Sequence, residues 1–277
     1  MKVDSHPRLS EFNRLVYPVV SRRAGGISLG INLNPAKTCT YNCVYCQVDR
    51  TTEIKGLKVS LKQITEELEY WIKEINDPRG SFIDQSLKDI SIAGDGEPTL
   101  CKLLPKILVE LVQVRKRFKL DRCKLVLFTN GTNIDRTELQ EVFPEFYENG
   151  GQIWFKLDFW DESSFHRINR SNIAYSKIIE NLKAIGKKHP VIFQSCFFSW
   201  NNEPYAPNLY APYIALVKQL QETGVRIEMI QVYTLARQPA EPSAKPWSNE
   251  DMDSIHELLS SKLDLNLSII YSKSSKS

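Results

Sequence analysis

The sequence has no long hydrophobic run. No stretch of 18 or more consecutive apolar residues occurs among its 277 residues, so we expect no membrane-spanning helix. The opening segment, MKVDSHPRLSEF, also lacks the apolar stretch of a secretory signal peptide. We therefore expect a cytoplasmic protein that has no membrane partner.

The sequence also has no strong excess of either charge. Its net charge is +3, from 36 Lys and Arg against 33 Asp and Glu. A nucleic-acid-binding domain usually concentrates basic charge on one face, so this balance alone neither indicates nor excludes such a partner. Hydrophobic residues make up 42% of the chain, which is enough to bury a large core. The composition thus indicates a globular protein.

Histidine is scarce, and cysteine is concentrated in one short segment. The chain has four histidines and six cysteines, and the segment CTYNCVYC holds Cys39, Cys43 and Cys46. Disulfides are rare in the reducing cytosol, so thiols clustered in this way indicate a bound metal. The isolated cysteines are predicted to be small core residues. These are Cys101, Cys123 and Cys196.

Three thiolates leave a coordination position open. Structural zinc normally has four ligands and a [4Fe-4S] cluster usually has four cysteines, so three cysteines would leave one iron free to bind another molecule. The alternative is a zinc site completed by a histidine from elsewhere in the chain. None of the four histidines lies at the usual short ligand spacing from the cysteines, which favours the cluster.

Short apolar or β-branched segments alternate with helical patterns from residue 28 onward. This alternation predicts six strands joined by helices. The predicted strands are 28–33, 89–94, 124–130, 152–158, 191–198 and 226–234. The predicted helices are 60–76, with Ser60 as N-cap, then 103–118, 136–145, 175–188, 208–222 and 249–263.

Repeated strand and helix units indicate an α/β fold with a parallel sheet. We predict a partial (β/α)6 TIM-like barrel with a C-terminal helical extension. The predicted divisions are an N-terminal extension at 1–27, a core barrel at 28–236 and a C-terminal extension at 237–277. An open doubly wound sheet is the alternative.

Unusual motifs follow the first four predicted strands. CTYNCVYC comes after the first strand, GDGEPTL after the second, TNGT at the end of the third and KLD at the end of the fourth. The chemistry of an α/β barrel gathers at the carboxyl ends of its strands. All four motifs are therefore expected on one functional face.

The cysteine motif, C-x3-C-x2-C with Tyr45 before the last cysteine, resembles the cluster loop of the radical S-adenosylmethionine (radical SAM) superfamily. DGEP at 95–98 resembles the family's Gly-Gly-Glu-Pro motif, and TNG at 129–131 resembles a ribose-contacting strand end. Asn130-Gly131 alone is also typical of a simple turn. The resemblance implies a [4Fe-4S] cluster on the three cysteines. It also implies one-electron cleavage of S-adenosylmethionine to a 5′-deoxyadenosyl radical.

The predicted site residues follow from this resemblance and from the sequence patterns. The predicted metal ligands are Cys39, Cys43 and Cys46. The predicted cofactor contacts are Tyr45, Gly96, Glu97, Asn130, Asp158 and Gln194. The predicted catalytic residues are Lys156, Asp158, Arg170 and Arg237.

Lys156 and Asp158 share one face of the fourth predicted strand, because side chains alternate along GQIWFKLDFWD. On the inner face of a barrel both charges are costly unless they are paired. We expect Asp158 near the cofactor and Lys156 near an anionic or carbonyl-bearing substrate. The alternative is a mutual ion pair on a solvated strand face. Arg170 and Arg237 are predicted to bind a carboxylate or phosphate, with simple solvation as the alternative.

Five blocks, at 17–50, 94–100, 127–132, 156–170 and 232–241, resemble a narrower branch of this superfamily. That branch contains the wyosine-tRNA-synthesis enzymes and their uncharacterised bacterial relatives. The wyosine enzymes bind a second cluster through cysteines before the loop, whereas no cysteine precedes Cys39 in this sequence. The alternatives are a wyosine-type tRNA-modifying enzyme, a glycyl-radical-type activase and a non-catalytic zinc and nucleic-acid-binding module.

The family chemistry implies a low-potential electron donor, such as flavodoxin or ferredoxin. The substrate is unknown, with tRNA as one candidate. The basic run VRKRFKLDRCK, at 114–124, is a candidate RNA contact. It falls where the second helix should end, however, and a helix C-terminus favours cations. We therefore expect a solvated helix end there.

Overall fold

A computed structural model describes residues 12–49, 56–82, 85–201 and 210–272. The strands in these residues are β1 Val16–Ser21, β2 Gly26–Ile31, β3 Leu87–Ile92, β4 Lys124–Thr129, β5 Gly151–Lys156, β6 Val191–Cys196, β7 Phe198–Trp200, β8 Ile227–Tyr233, β9 Ala244–Pro246 and β10 Leu267–Ile270. The α-helices are α1 Leu61–Asn76, α2 Leu104–Arg117, α3 Thr137–Glu148, α4 Glu162–Ser164, α5 Tyr175–Lys188, α6 Ala211–Glu222 and α7 Asn249–Lys262. None of the helices in this part of the chain has the length and hydropathy needed to cross a membrane.

An eight-stranded sheet contains the six predicted strands and two further ones. Its order is β1-β2-β3-β4-β5-β6-β8-β10, and β1 pairs with β2 in the antiparallel direction. The predicted count of six was too small because β1 and β10 were missed. β1 contains Pro18, which is tolerated at the edge of a sheet and weakens the strand pattern. β10 has only four residues, too few for a clear alternation.

Several predicted boundaries were displaced by a few residues. β2 begins at Gly26 rather than at residue 28, and α3 continues to Glu148 with Pro144 inside it. α6 begins at Ala211, while residues 208 and 209 of the predicted helix lie outside the described residues. Helix ends are the least certain part of any sequence pattern, because caps and frayed turns blur them.

The described chain forms two compact units. The first contains residues 12–39 and 56–153 except 83–84 and 130–132, and the second contains 40–49, 130–132, 154–201 and 210–272. Strand β5 is therefore divided between the units after Ile153. These units do not test the predicted domain divisions at residues 28 and 237, which stay predictions.

In the first unit, α1 is capped and anchored as its sequence suggests. The hydroxyl of Ser60 accepts a hydrogen bond from Gln63 N at 3.3 Å, which confirms the predicted N-cap. The carboxylate of Glu67 accepts from Leu15 N at 2.9 Å and Val16 N at 2.8 Å, so it joins the helix to the start of β1. The apolar face is buried at helical spacing. It consists of Ile64, Leu68, Ile72 and Ile75.

In the second unit, a π-helix follows the short helix α4. It spans Phe165–Asn169 and ends at Arg170, whose φ of 46° lies in the left-handed region. Asp161 caps α4 by accepting a hydrogen bond from Ser164 N at 2.7 Å. π-helices are rare and are frequently found at functional sites, which draws attention to the residues that this one contacts.

Candidate functional site

In the first unit, the loop after β3 holds a buried carboxylate in one orientation. Glu97 is 2% exposed. Its Oε1 accepts hydrogen bonds from Thr99 N at 3.0 Å, Thr99 Oγ1 at 2.7 Å and Thr129 Oγ1 at 2.6 Å. These donors offset the cost of burying the group. Glu97 is thus a fixed carboxylate just beyond the carboxyl end of β3.

Gly96 lies where another segment of the first unit comes very close. A Cβ at this position would be 1.9 Å from the carbonyl oxygen of Thr38. The next residue, Glu97, donates its N–H to the same oxygen at 3.0 Å. A glycine is required here because any side chain would displace one of the two backbones. The chain just before Cys39 is therefore held against the 94–97 loop.

In the second unit, the π-helix holds the loop that contains Cys43. Asn42 N donates to Asn169 O at 2.9 Å, and Val44 N donates to Ile168 O at 3.0 Å. The side-chain Nδ2 of Asn169 also donates to Cys43 Sγ at 3.3 Å. The cysteine loop is therefore fixed on both sides of Cys43 by two backbone hydrogen bonds.

The end of the same loop is held by the segment after β8. Ala240 N donates to Cys46 O at 2.8 Å, and the side chain of Gln47 donates to Arg237 O at 2.7 Å. Cys46 N also donates to Cys43 O at 3.0 Å, which closes a turn between the two cysteines. The backbone of the loop is therefore fixed from Cys43 to Cys46.

The three predicted ligands, Cys39, Cys43 and Cys46, are each partly exposed. Cys39 belongs to the first unit, and the other two belong to the second. Burial raises the pKa of Cys43 from 9.0 to about 12, so a metal must displace the thiol proton when it binds. Within the described ranges, no three His, Cys, Asp or Glu side chains surround a single-ion site.

Asn130, predicted to contact a ribose, forms a turn with its neighbours in the second unit. Its Oδ1 accepts from Thr132 N at 3.0 Å and from Thr132 Oγ1 at 2.7 Å. Its Nδ2 donates to Thr40 Oγ1 at 3.0 Å. Gly131 has a φ of 81°, as a turn at Asn-Gly requires. The turn is therefore present, and the ribose contact stays a prediction.

Lys156 and Asp158 form an ion pair in the second unit. Lys156 Nζ lies 3.7 Å from Asp158 Oδ2, and the carboxylate side chain is 0% exposed. Asp158 also accepts hydrogen bonds from Cys196 N at 2.6 Å and from the hydroxyl of Tyr45. The alternative of a solvated pair was thus right about the pairing and wrong about the solvation. The structure therefore brings together three of the predicted site residues, Tyr45, Lys156 and Asp158.

Tyr233 is a member of this cluster that sequence reasoning missed. Lys156 donates to its hydroxyl, and the ammonium lies 4.9 Å from the Tyr233 ring centroid and 5.2 Å from that of Tyr45. Burial alone lowers the pKa of Lys156, but Asp158 and nearby thiols raise it above 10.5. Lys156 is therefore an ammonium ion. Alternation along the sixth predicted strand was the available signal, but it does not say which face meets Lys156.

Gln194 and Arg170 already have partners within the second unit. Gln194 Nε2 donates to Gln231 Oε1 at 3.1 Å. Arg170 forms a salt bridge with Glu241, and its guanidinium lies 5.7 Å from the Trp200 ring centroid. Arg170 is therefore not simply solvated, and part of its donor set is occupied.

Arg237 lines an open cavity of about 320 Å³ beyond the end of β8. Lys245 and Ser272 also line it, so two cationic side chains share one concave surface. Such a surface suits an anionic group, although the catalytic role of Arg237 stays a prediction.

The isolated cysteines and the basic run behave largely as structural residues. Cys123 and Cys196 are buried as predicted, whereas Cys101 is only partly buried.

Within the basic run, Arg117 donates to Glu69 at 2.7 Å and Lys116 donates to Glu145 at 3.0 Å. These cations at the end of α2 are half-exposed, as a solvated helix end requires, but they are also paired with acidic side chains of the same unit.

Comparison with known families identifies the class. Residues 33–204, more than half of the chain, match the family profile described as the Radical SAM superfamily. The chain therefore belongs to the radical SAM superfamily. This confirms the family predicted from the cysteine motif and places the protein in the radical SAM class of enzymes.

Curated relatives match part of this chain. The chain is 32% identical over 166 residues to a UPF0026 protein of Helicobacter pylori, covering 60% of this chain and 48% of that protein. It spans between 17% and 52% of the length of the curated relatives that it matches.

Two solved structures share the fold at low sequence identity. Streptococcus suis SuiB bound to S-adenosylmethionine has a TM-score of 0.60 at 14% identity, covering 95% of this chain and 53% of SuiB. TYW1 with a lysine-pyruvate adduct has a TM-score of 0.50 at 18% identity, covering 84% of this chain and 73% of TYW1. These likenesses confirm the predicted fold class, an α/β partial TIM-like barrel.

Proposed function

We propose that this protein binds one [4Fe-4S] cluster through Cys39, Cys43 and Cys46 and cleaves S-adenosylmethionine reductively. The observation that carries the proposal is the three-cysteine motif, which lies inside the segment that matches the radical SAM profile. When bound, the cluster and S-adenosylmethionine would supply a 5′-deoxyadenosyl radical that abstracts hydrogen from a substrate.

The residues present fit an iron-sulfur cluster. Thiolates are the ligands that iron-sulfur clusters use, and three of them leave one iron open. Cys43 lies in a loop held by backbone hydrogen bonds, and a side-chain N–H points at its sulfur. A deprotonated cysteine sulfur can only accept hydrogen bonds, so it is a suitable acceptor for this N–H. Each cysteine in a cluster ligates a different iron, so the ligands need not surround one ion.

Six residues are proposed to bind S-adenosylmethionine, on the strength of their match to the family motifs and strand ends. Glu97 offers an oriented carboxylate to the methionine ammonium, which has donors and no acceptor. Gly96 keeps the backbone beside it open to close approach. Asp158 supports Tyr45 through a buried hydrogen bond. The full set is Tyr45, Gly96, Glu97, Asn130, Asp158 and Gln194.

The substrate is proposed to meet the cationic side chains of the second unit. Lys156 is held as an ammonium between Asp158 and two tyrosine rings, so it suits electrostatic binding rather than nucleophilic attack. Arg170 and Arg237 are proposed as further contacts for an anionic group of the substrate. A low-potential donor such as flavodoxin or ferredoxin is proposed to supply the electron.

Metal analysis tests the proposal and its zinc alternative together. Wild-type protein, Cys43→Ala and the matched control Cys101→Ala would be reconstituted anaerobically with iron and sulfide. We expect about four irons per chain in wild type and control, with loss of the cluster in Cys43→Ala, because each thiolate holds one iron. Colourless protein that binds zinc and no iron would contradict the proposal and favour a structural metal module.

A further inference from the structure

Asn169 contacts the cysteine loop through both its backbone and its side chain. It is the last residue of the π-helix and is 0% exposed. Its carbonyl accepts from Asn42 N at 2.9 Å, and its Nδ2 lies 3.3 Å from Cys43 Sγ. No sequence pattern singled out this residue, although the segment that contains it belongs to a block resembling the family.

The orientation of this amide is informative because its other end is unpaired. Asn169 Oδ1 is buried and has no hydrogen-bond partner within the described residues. A buried acceptor without a donor carries a free-energy cost, so the amide is not oriented by its oxygen. The contact that defines its orientation is the one from Nδ2 to the sulfur of Cys43.

The neighbouring backbone keeps that amide in place. Ile168 O accepts from Val44 N at 3.0 Å, which fixes the residue before Asn169 against the residue after Cys43. Arg170 then leaves the π-helix in the left-handed conformation. The amide nitrogen therefore reaches the sulfur from a position set by the backbone on both sides.

We propose that Asn169 is a positioning residue that donates an N–H···S hydrogen bond to the cluster-ligating sulfur of Cys43 and raises the reduction potential of the cluster. The inference rests on the proposed function. Reduction places additional negative charge on a cluster and its sulfurs, and a hydrogen bond to a more negative acceptor is stronger. The donor therefore stabilises the reduced state more than the oxidised state, and hydrogen bonds to sulfur are among the known determinants of cluster potential.

The other charges near Cys43 do not supply the same effect. Lys156 and Asp158 have opposite charges and lie 3.7 Å apart, so their electrostatic effects at Cys43 oppose each other. Asn169 is neutral, and its contact with the sulfur is direct. Removing its N–H should therefore change the potential without changing the net charge of the site.

The test is a redox titration of the reconstituted protein, followed by electron paramagnetic resonance in the absence of S-adenosylmethionine. Asn169→Leu removes the donor but keeps the backbone carbonyl that holds the loop. Asn181→Leu is the matched control, since Asn181 is 2% exposed and donates to Gly131 O and Thr132 O rather than to sulfur. We expect Asn169→Leu to lower the one-electron reduction equilibrium constant by up to about tenfold, which is about 59 mV. The control should keep the wild-type potential.

Asn169→Ala provides a second variant that lacks the amide N–H and adds no charge to the site. Its potential should also fall below that of wild type. Wild-type potentials in both variants, at full iron content, would overturn the inference. Loss of the cluster from both variants but not from Asn181→Leu would also overturn it, by showing that Asn169 only holds the loop. A wild-type protein that binds no cluster would instead mark the failure of the proposed function.

Discussion

At the scale of single residues, the most informative feature is the group of buried side chains around Asp158. A carboxylate, an ammonium and two phenols contact one another through Lys156, Tyr45 and Tyr233. Burying such charges is costly, and replacing a buried ion pair with apolar residues is often neutral or stabilising. The buried pair is therefore weak evidence of stabilisation, and a chemical role for it is what we propose.

Replacing Lys156 tests the substrate role assigned to it. Lys156→Met keeps the length of the side chain and removes the ammonium. We expect the variant to retain its cluster and to cleave S-adenosylmethionine, but to lose turnover of the substrate, because the substrate loses its cationic partner. The assay compares 5′-deoxyadenosine with substrate product. Loss of S-adenosylmethionine cleavage at full iron content would instead assign Lys156 to the cofactor.

The buried tyrosines predict how stability depends on pH. Burial, followed by neighbouring negative groups, raises the pKa of Tyr45 and Tyr233 well above 10.0. A raised folded-state pKa means that the stability is fully present below pH 10 and is lost as the pH rises towards the folded-state value. Each tyrosine should lower the free energy of unfolding by up to about 1.4 kcal/mol per pH unit in that window.

Tyr45→Phe should make this alkaline slope shallower, because one ionisable phenol is removed from the unfolded chain. The measurement is the free energy of urea unfolding at a series of pH values from about 9 to about 11. This range brackets the ordinary tyrosine pKa of about 10. Tyr70→Phe is the control, since Tyr70 is 48% exposed. An unchanged slope in Tyr45→Phe would show that Tyr45 ionises equally in the folded and unfolded states.

At the scale of secondary-structure elements, the loops after the strands were located by sequence and the π-helix was not. Glycine, proline and cysteine motifs after hydrophobic runs mark the loops, and six of the eight strands of the main sheet were found within a few residues. A π-helix has no periodicity that distinguishes FHRIN from an ordinary helical turn. Asn169 was missed for that reason, as its contact depends on a register that only the structure shows.

Gly96→Ala tests the close approach of two backbone segments in the first unit. The added Cβ would meet Thr38 O at 1.9 Å, so one of the segments must move. We expect a loss of about 1–3 kcal/mol in the free energy of unfolding, as for other overpacked sites. Chemical denaturation measures it. A loss within the roughly 0.5 kcal/mol typical of neutral surface changes would show that the loop adapts easily.

At the scale of the whole molecule, the family and fold were predictable and the substrate was not. The spacing of three cysteines predicted the family, and the alternation of strands and helices predicted the fold. Proposed substrate residues such as Arg170 lie in loops whose partners, here Glu241, are distant in sequence. The chain also spans about half the length of the Helicobacter pylori relative, so that comparison does not supply a whole-protein activity.

Formation of 5′-deoxyadenosine tests the central claim most directly. Reconstituted wild-type protein would be reduced with dithionite in the presence of S-adenosylmethionine, beside Cys43→Ala and Cys101→Ala. We predict 5′-deoxyadenosine from wild type and Cys101→Ala and none from Cys43→Ala, since only that variant lacks a proposed ligand of the cluster. A wild-type protein with a full complement of iron that forms no 5′-deoxyadenosine, with or without candidate substrates, would contradict the account.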